Sequence, residues 1–533
     1  MVDQICHRLA KIHKRSININ MEHVNIEAVD SVFIRINAEK SIIKEMSQFF
    51  TFEVPNHKYM PAYRNRVWNG RINLLNTHKN VIYRGLLDYV TKFCKDRNYS
   101  YSSFEENDII PKREHICKFL DEFVQPHIRG EKASIHDYQM DAIFHAIKRK
   151  RCLLLSPTGS GKSMIIYSLM RYYLETLPKN KKILIIVPTT GLVQQMISDF
   201  AEYSKNTKWK ADRNCHGIHA GKSKQTAKRV IISTWQSIFR EHKDWFDQFS
   251  AVFGDECHQY RSQSLVALMT KLKDCPYRIG TTGTLDSIHV HKLIIEGLFG
   301  PVYKVTSTKD LIDKNILSEL KVECLCINHS DTDRAALKRR TYQEEIEWVV
   351  TDERRNKFIV QLAEKLKGNT LILFNYVEKQ GKPLFKMLEG SSKNIYFIYG
   401  KTETEMREQI RKIVDKNDNS IMVASYGTTS TGINIRNIHN IIFASPSKSV
   451  IRVLQSIGRG LRKSETKENV VIYDISDDLR YKKYNNHTYN HLQERLRIYN
   501  KERFSHRLVS ITLEELQNET RQNQLQNIEI EKR

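Results

Sequence analysis

Short runs of apolar residues, each ending in small or polar residues, recur along the chain in two groups. The first group comprises residues 151–157, 182–190, 229–235 and 251–256, and the second comprises residues 370–376, 394–400, 420–426, 440–445 and 469–475. Segments with a helical pattern separate the runs. Continuous apolar runs of this length are typical of strands buried on both faces of a parallel sheet. The sequence therefore predicts an α/β protein with two tandem parallel-sheet domains.

The rest of the chain divides around these two domains. We expect a small α+β domain over residues 1–130, the first α/β domain over 131–320, a connector over 321–360, the second α/β domain over 361–480 and a helical C-terminal extension over 481–533. Cys324 and Cys326 alternate within the connector, as same-face residues of a strand do.

Basic residues outnumber acidic ones along the whole chain. Lys plus Arg is 85 and Asp plus Glu is 61, which gives a net charge of +24 over 533 residues. The spread of this excess favours a long electrostatic track for nucleic acid, although many soluble proteins are basic without such a partner. No stretch approaches the ~18 apolar residues of a membrane helix, and we expect no signal peptide at the start. The nine cysteines include no CxxC pair, so we expect a reducing compartment and neither a zinc site nor disulfides.

A phosphate-binding loop follows the first apolar run. Residues 156–163 read SPTGSGKS between a predicted strand and a helical segment, with Ser156 where the pattern prefers glycine. Such a loop points backbone N–H groups at phosphate oxygens, and the helix N-terminus adds its dipole. We expect Lys162 to reach the β- and γ-phosphates of the ligand and Ser163 to hold Mg²⁺. The loop backbone comes from Pro157, Thr158, Gly159, Ser160 and Gly161.

Two acidic residues, Asp255 and Glu256, end the apolar run AVFG. At the carboxyl end of a parallel strand they would lie beside the phosphate loop. We expect Asp255 to organise Mg²⁺ and Glu256 to accept a proton from the attacking water. Acidic residues at strand ends are common, and it is the phosphate loop upstream in the same α/β unit that favours the catalytic interpretation.

A third motif lies in the second α/β domain, where residues 455–462 read QSIGRGLR. Arg459 and Arg462 are three apart and would share one face of a helix. Two guanidinium groups at a γ-phosphate would stabilise the transition state of its transfer. The arginines alone suggest only a basic helix face, and their pairing with Gln455 and Gly458 favours a catalytic role.

These motifs together resemble those of a known family. The phosphate loop, residues 255–258 (DECH), residues 282–284 (TGT) and QSIGRGLR follow one another as in superfamily-two helicases of the DExH type. The resemblance covers about residues 135–475. It implies an ATP-dependent helicase with two RecA-like domains, ATP between them and nucleic acid across both.

The same resemblance implies roles for smaller motifs. Gln139 would read the adenine, and Gly432 would lie at the ATP site. The residues implied to contact nucleic acid are Thr189, Thr190, Thr234, Trp235, Ser430 and Thr431. The residues implied to couple the two domains are His258, Thr282 and Thr284. Each has a structural alternative: the threonines can cap helices, and packing is the interpretation we favour for Trp235. Asn434 departs from the Asp of many relatives.

The N-terminal part shows a second resemblance. Residues 49–53 (FFTFE), 61–64 (PAYR) and 67–72 (VWNGRI), together with TYQEEI at 341–346, resemble UvsW-type phage recombination and repair helicases. That family acts on branched DNA, including forks, Holliday-type junctions and R-loops. Asn69 and Gly70 between β-rich flanks predict a two-residue hairpin. Near its tip would lie Arg64, Arg66, Trp68 and Arg71, either as a grip on a duplex backbone or as solvated arginines around a core Trp.

The resemblance implies DNA, branched or duplex, as the partner, with an RNA–DNA hybrid as a further candidate. It also implies a soluble monomer in the cytoplasm of an infected bacterial host. Three alternatives share the motor motifs: a duplex translocase that separates no strands, an RNA helicase, and an ATP-dependent clamp without hydrolysis. The complete hydrolytic set of residues argues against the clamp.

Overall fold

The computed structural model describes residues 23–55, 57–104, 111–128, 131–219, 221–285, 289–430, 437–446 and 469–513. The predicted fold class is confirmed, because these residues form two seven-stranded sheets and a smaller N-terminal unit. Within the described ranges, no helix is long and apolar enough to cross a membrane.

The N-terminal unit is built on a four-stranded mixed sheet with the order β5-β2-β1-β6. Over its described residues the whole unit has six strands, of which β3 and β4 form a separate pair: β1 (His23–Ala28), β2 (Phe33–Asn37), β3 (Thr51–Glu53), β4 (Arg71–Asn73), β5 (Val81–Tyr83) and β6 (Ser100–Ser103). Its helices are α1 (Lys40–Phe49), α2 (Pro61–Arg64) and α3 (Leu87–Asp96), with 3₁₀ turns at His57–Tyr59 and Arg84–Leu86. Val24 and Ile26 alternate with polar residues on β1, so one sheet face is apolar and is covered by Met46 of α1 and Phe93 of α3.

The predicted two-residue hairpin at Asn69 and Gly70 is wrong. Strand β4 pairs with β3, Thr51 opposite Asn73, and the connection between the two strands spans residues 54–70. The chain before Asn69 forms α2 instead of a strand, with Pro61 at its first position. Gly70 has φ +77 and ends this long connection.

The first α/β domain has the strand order β11-β12-β10-β13-β14-β9-β15, with every pairing parallel. A short hairpin, β7 (His127–Ile128) and β8 (Glu131–Lys132), precedes it. The sheet strands are β9 (Arg151–Leu155), β10 (Lys182–Val187), β11 (Cys215–Ile218), β12 (Val230–Thr234), β13 (Phe249–Gly254), β14 (Tyr277–Thr282) and β15 (Val302–Lys304). The helices are α4 (Arg113–Phe119), α5 (Asp137–Arg149), α6 (Lys162–Thr176), α7 (Thr190–Tyr203), α8 (Ala211–Asn214), α9 (Trp235–Ile238), α10 (Lys243–Phe246), α11 (Gln263–Met269), α12 (His289–Phe299) and α13 (Thr308–Asp313). A π-helical turn at Leu120–Val124 and a 3₁₀ turn at Cys257–Gln259 complete the domain.

The second α/β domain has the order β18-β19-β17-β20-β21-β16-β22, again parallel throughout. Its strands are β16 (Glu319–Asn328), β17 (Thr370–Phe374), β18 (Asn394–Ile398), β19 (Ser420–Ser425), β20 (Asn440–Phe443), β21 (Asn469–Asp478) and β22 (Ser505–Thr512). Its helices are α14 (Asp331–Leu337), α15 (Tyr342–Thr351), α16 (Glu353–Lys365), α17 (Lys382–Met387), α18 (Thr404–Lys416), α19 (Tyr426–Ser430) and α20 (His487–Lys501), with a π-helical turn at Val377–Gly381.

Three segments differ from the expected division. The predicted connector opens with β16, which lies inside the second sheet between β21 and β22. The expected helical extension contains α20 but continues into β22, an edge strand of that sheet. Residues 113–124, expected within the N-terminal domain, pack into the first α/β domain through Ile116, Leu120 and Val124.

The N-terminal unit shares one hydrophobic core with the first α/β domain. Gly85 lies so close to α12 that a Cβ at this position would sit 2.1 Å from the backbone oxygen of Glu296. The Tyr89 hydroxyl donates to Glu296 at 2.8 Å, and the Ser31 N–H donates to the Lys273 oxygen at 2.8 Å. Because core and backbone atoms are shared, these two parts form one packed body.

Candidate nucleotide-hydrolysis site

The phosphate-binding loop connects β9 to α6, as predicted, and α6 begins at Lys162. Gly159 has φ +87 and Gly161 has φ +80, a backbone region that side chains rarely adopt. A Cβ at Gly161 would also lie 2.3 Å from Nε2 of Gln139. Glycine at both positions is therefore required by the loop conformation.

Lys162 turns its ammonium group toward the loop. Its Nζ donates to the oxygen of Ser156 at 3.2 Å and to that of Pro157 at 3.5 Å. A Cβ on Gly283, in the TGT segment, would lie 3.6 Å from the same Nζ. The predicted motifs at Lys162 and Gly283 therefore meet at one point.

Gln139 and Tyr138 brace the loop from α5. Gln139 is buried; its Oε1 accepts from the His136 N–H at 3.0 Å and its Nε2 donates to the Ser160 oxygen at 2.9 Å. The Tyr138 hydroxyl donates to the same oxygen at 3.1 Å. Burial raises the pKa of Tyr138 to about 12, so this hydroxyl remains a donor at neutral pH. Contact of Gln139 with adenine stays a prediction.

Asp255 follows β13 and faces Thr281 at the end of the neighbouring strand β14. The Thr281 hydroxyl donates to Oδ1 of Asp255 at 2.9 Å. Burial is the main cause that raises the pKa of Asp255; the nearby Glu256 charge adds to it, and Lys162 opposes it. Asp255 is therefore a partly buried carboxylate with an oriented oxygen, close enough to Lys162 to interact with its charge.

Glu256 sits in a strained backbone conformation with φ +51. Its Oε2 lies 3.3 Å from Nδ1 of His258, and the same Nδ1 lies 3.3 Å from the Thr282 hydroxyl. The Thr282 hydroxyl donates to the Thr284 oxygen at 2.8 Å, and the Ser156 N–H donates to the Thr282 oxygen at 2.9 Å. The residues predicted to couple the domains thus connect Glu256 to the phosphate loop.

Sequence reasoning missed two residues of this site. Tyr203, the last residue of α7, places its hydroxyl 2.9 Å from the hydroxyl of Ser163. Thr281 binds Asp255, as described above. Thr281 becomes a neighbour of Asp255 because Gly280 pairs with Gly254, a strand register that the sequence alone does not give. No sequence signal pointed to Tyr203 either.

The residues predicted to contact nucleic acid on the first domain follow β10 and β12. Thr189 caps α7 by accepting from the Leu192 N–H at 3.4 Å, and Thr190 opens that helix. The Thr234 hydroxyl lies 2.8 Å from that of Ser237. Trp235 is half-buried with its ring 6.3 Å from that of Phe239, as expected for a packed aromatic.

In the N-terminal unit, Arg64, Arg66 and Trp68 line a cleft of about 900 Å³. Trp68 donates from Nε1 to the Arg71 oxygen at 2.8 Å, which fixes the indole to β4. Arg71 itself faces Glu53 at 3.5 Å. The structure thus brings three of the four residues to one cleft.

The remaining predicted residues cannot be placed. Thr431, Gly432, Gln455, Arg459 and Arg462 lie outside the described residues. Ser430 ends α19, at the carboxyl end of β19.

The fold and this site define a nucleotide-hydrolysing motor with two RecA-like domains. Residues 132–287 match the family "Type III restriction enzyme, res subunit", residues 353–464 match "Helicase conserved C-terminal domain", and residues 23–103 match "DNA helicase UvsW, N-terminal". The solved DUF1998 helicase MrfA bound to DNA shares the fold at 17% identity, with a TM-score of 0.52 over 75% of this chain and 55% of that chain.

Two relatives extend these matches. The chain is 32% identical over 506 residues to the ATP-dependent DNA helicase uvsW of Enterobacteria phage T4, covering 92% of this chain and 100% of the relative. It is 26% identical over 212 residues to the DNA 3'-5' translocase XPB2 of Sulfurisphaera tokodaii, covering 38% of this chain and 43% of that one. The chain belongs to the UvsW family of ATP-dependent DNA helicases.

Proposed function

We propose that the protein couples ATP hydrolysis to the unwinding or branch migration of branched DNA, in phage recombination, repair and replication. The observation that carries this proposal is the N-terminal unit, which matches the UvsW N-terminal family and shares a core with the first RecA-like domain. A grip on DNA by Arg64 and Arg66 would therefore move with that domain. Closure of the second domain would then shift DNA relative to the grip.

In hydrolysis, Lys162 binds the β- and γ-phosphates of ATP, and Glu256 accepts a proton from the attacking water. His258 and Thr282 position Glu256 and connect it to Thr284, so that loss of the γ-phosphate at Glu256 can be felt at Thr284. Arg459 and Arg462 would reach the γ-phosphate from the second domain. Hydrogen bonds to bound phosphate would replace those that Lys162 makes to the loop carbonyls.

The site also fits Mg²⁺. The Ser163 hydroxyl and the Asp255 carboxylate are oxygen donors of the kind that this hard cation takes. When bound, Mg²⁺ would neutralise phosphate charge. The nearby Thr281 hydroxyl would keep Asp255 oriented.

A duplex translocase without strand separation is the second candidate. It is favoured by the match of residues 132–287 to the res subunit of type III restriction enzymes. We further propose that the protein acts as a monomer in the cytoplasm of an infected bacterium and accepts RNA–DNA hybrids as well as DNA; sizing by light scattering tests the first point.

The decisive experiment measures ATP turnover and strand displacement on single-stranded DNA, duplex, a four-way junction, an R-loop and RNA. We expect the junction and the R-loop to stimulate most, with strands displaced. Lys162→Ala and Glu256→Gln should abolish turnover but leave DNA binding. Lys179→Ala and Glu175→Gln, exposed residues on the same domain, are matched controls. Turnover on plain duplex without displacement would instead establish the translocase.

A further inference from the structure

A cationic and aromatic surface lies on the second α/β domain, apart from the motifs used so far. Its centre is a tight turn after β21, which we call the tyrosine turn: Tyr481, Lys482, Lys483 and Tyr484. Tyr481 and Tyr484 exchange backbone hydrogen bonds at 3.1 and 3.0 Å, which closes the turn. Lys482 and Lys483 stand exposed at its tip, and Lys482 has φ +53.

The second part of the surface is the pair Lys338 and Arg339, which follows α14. Nζ of Lys338 lies 5.0 Å from the ring centre of Tyr484, and Cζ of Arg339 lies 4.7 Å from it. Arg339 also donates to the Tyr484 hydroxyl. These contacts hold two cations against the tyrosine turn at the short distances at which cation–π attraction is effective.

The four cations are held by rings and not by acids. Lys482 and Lys483 lie 5.5 and 6.0 Å from the ring centres of Tyr481 and Tyr484. No carboxylate in the described parts of the chain comes within ion-pair distance of Lys338, Arg339, Lys482 or Lys483. Their neighbours Arg340 and Arg480, in contrast, pair with Glu344 and Asp478. The charge of the four therefore remains available to an anion outside the chain.

The surface lies at the carboxyl edge of the second sheet, where we expect such an anion to bind. Strands β16 and β21 are parallel neighbours, with Asn328 opposite Asp478 at their ends, so α14 and the tyrosine turn follow the same carboxyl edge. Helix α19 also follows its strand, β19, at this edge. In the order β19-β17-β20-β21 the ends of β19 and β21 are three strand spacings apart, which at ~4.8 Å per strand is about 14 Å. Open α/β sheets bind their ligands at this edge.

We infer that Lys338, Arg339, Lys482 and Lys483 form a site for the phosphate backbone of single-stranded DNA on the second RecA-like domain. Because the tyrosine faces already carry cations, the site reads the backbone and not the bases, as a motor that steps along any sequence requires. The inference rests on the proposed function only in taking DNA as the ligand.

The test compares two double variants of the full-length protein. Lys482→Ala/Lys483→Ala removes the two lysine side chains at the tip of the turn. Lys365→Ala/Lys367→Ala removes two exposed lysines just before β17, at the opposite, amino edge of the same sheet. The probe is a labelled 30-nucleotide single strand of mixed sequence, with affinity measured from low to high NaCl and the thermal unfolding midpoint as the check on folding.

The expected result is a salt slope that is smaller by about 1.4 for the first variant, because each contact to single-stranded DNA releases ~0.7 counterion. At 0.1 M salt this corresponds to about 25-fold weaker binding. The control variant should keep the wild-type slope. Acetylation of the lysines, read by mass spectrometry, should show that DNA protects Lys482 and Lys483 but not Lys365 and Lys367.

Three results would overturn the inference. Equal losses in both variants would mean that only net charge matters, and no loss in either, without protection, would assign the surface to another partner such as an acidic protein. Failure of the wild-type protein to bind the single strand would overturn the inference, and failure to bind a four-way junction as well would also overturn the proposed function, which separates that case from the first two.

Discussion

The hydroxyl of Ser163 lies 2.9 Å from the hydroxyl of Tyr203, a residue 40 positions further along the chain. Ser163 is the second residue of α6, and Tyr203 ends α7. A serine hydroxyl has one hydrogen and two acceptor lone pairs. If the hydrogen goes to Tyr203, both lone pairs of Ser163 are left to face a cation, so Tyr203 orients the proposed Mg²⁺ ligand.

Tyr203→Phe should therefore weaken the use of Mg²⁺. Loss of one hydrogen bond of ~1 kcal/mol predicts an increase of about fivefold in the Mg²⁺ concentration needed for half-maximal ATP turnover. The ring contact with Tyr167 is kept in this variant. Tyr173→Phe removes another buried hydroxyl, on α6 itself, and should leave the Mg²⁺ requirement unchanged. Equal Mg²⁺ requirements in both variants would contradict the orienting role.

Asp255→Asn should stabilise the protein at neutral pH while abolishing ATP turnover. Because burial raises the pKa of Asp255, the folded state binds its proton more tightly than the unfolded state does. Stability from this group is present at low pH and is lost as the pH rises through the raised pKa. Asparagine carries no charge to bury, so we expect a gain in the free energy of unfolding at pH 8 that shrinks toward pH 4.

Unfolding by denaturant at several pH values measures this gain. Asp274→Asn, at an exposed position on the same domain, provides the control and should show no gain at any pH. A gain for Asp255→Asn that does not depend on pH would contradict the assigned cause.

Much of the fold could be predicted, because strands buried on both faces of a parallel sheet consist of continuous apolar runs in the sequence. All nine predicted runs became strands of the two sheets. The missed strands lack that pattern: β14 contains Arg278, whose guanidinium is buried and bonded to the backbone oxygens of Leu298, Leu272 and Met269. β22 is an edge strand in which polar residues interrupt Leu508, Val509 and Ile511, so the sequence shows no continuous apolar run there.

The site was predictable where the chemistry depends on adjacent residues. Lys162 belongs to the phosphate-loop motif, and Asp255 belongs to the acidic motif at the end of a strand; each motif is a continuous run of residues that can be recognised in the sequence. The bond between Tyr203 and Ser163 depends on how two helices pack, which periodicity cannot report. The hairpin at Asn69 failed because Pro61 starts a helix before it, so local turn chemistry was outweighed by the preceding segment.

Gly85→Ala should destabilise the shared core of the N-terminal unit and the first domain. The added methyl group would lie 2.1 Å from the backbone oxygen of Glu296 and 2.7 Å from that of Gly297, and neither can rotate away. We expect a loss of about 3 kcal/mol, the upper part of the range for overpacking. Gly400→Ala, where a Cβ meets nothing within 4 Å, is the control. Denaturant midpoints that fall equally in both variants would argue against a rigid junction.

Glu345→Gln should loosen the C-terminal helix and strand together. Glu345 of α15 is buried, and its Oε1 accepts from the N–H of Thr488 at 2.7 Å and from its hydroxyl at 2.9 Å, while Oε2 accepts from the His487 N–H at 2.9 Å. The carboxylate thus caps the N-terminus of α20 and complements its dipole. Glutamine keeps one acceptor oxygen and turns an amide donor toward a second donor.

We expect this change to cost about 2 kcal/mol, typical of hydrogen bonds to a charged group. Because β22 follows α20, amide hydrogen exchange should quicken over residues 487–512 and leave β17 unaffected. Glu347→Gln is the matched control, since Glu347 lies on the same helix but is exposed and pairs with Lys379. Faster exchange confined to α20, with β22 still protected, would mean that the strand is held by β16 alone and that Glu345 does not secure the extension as a unit.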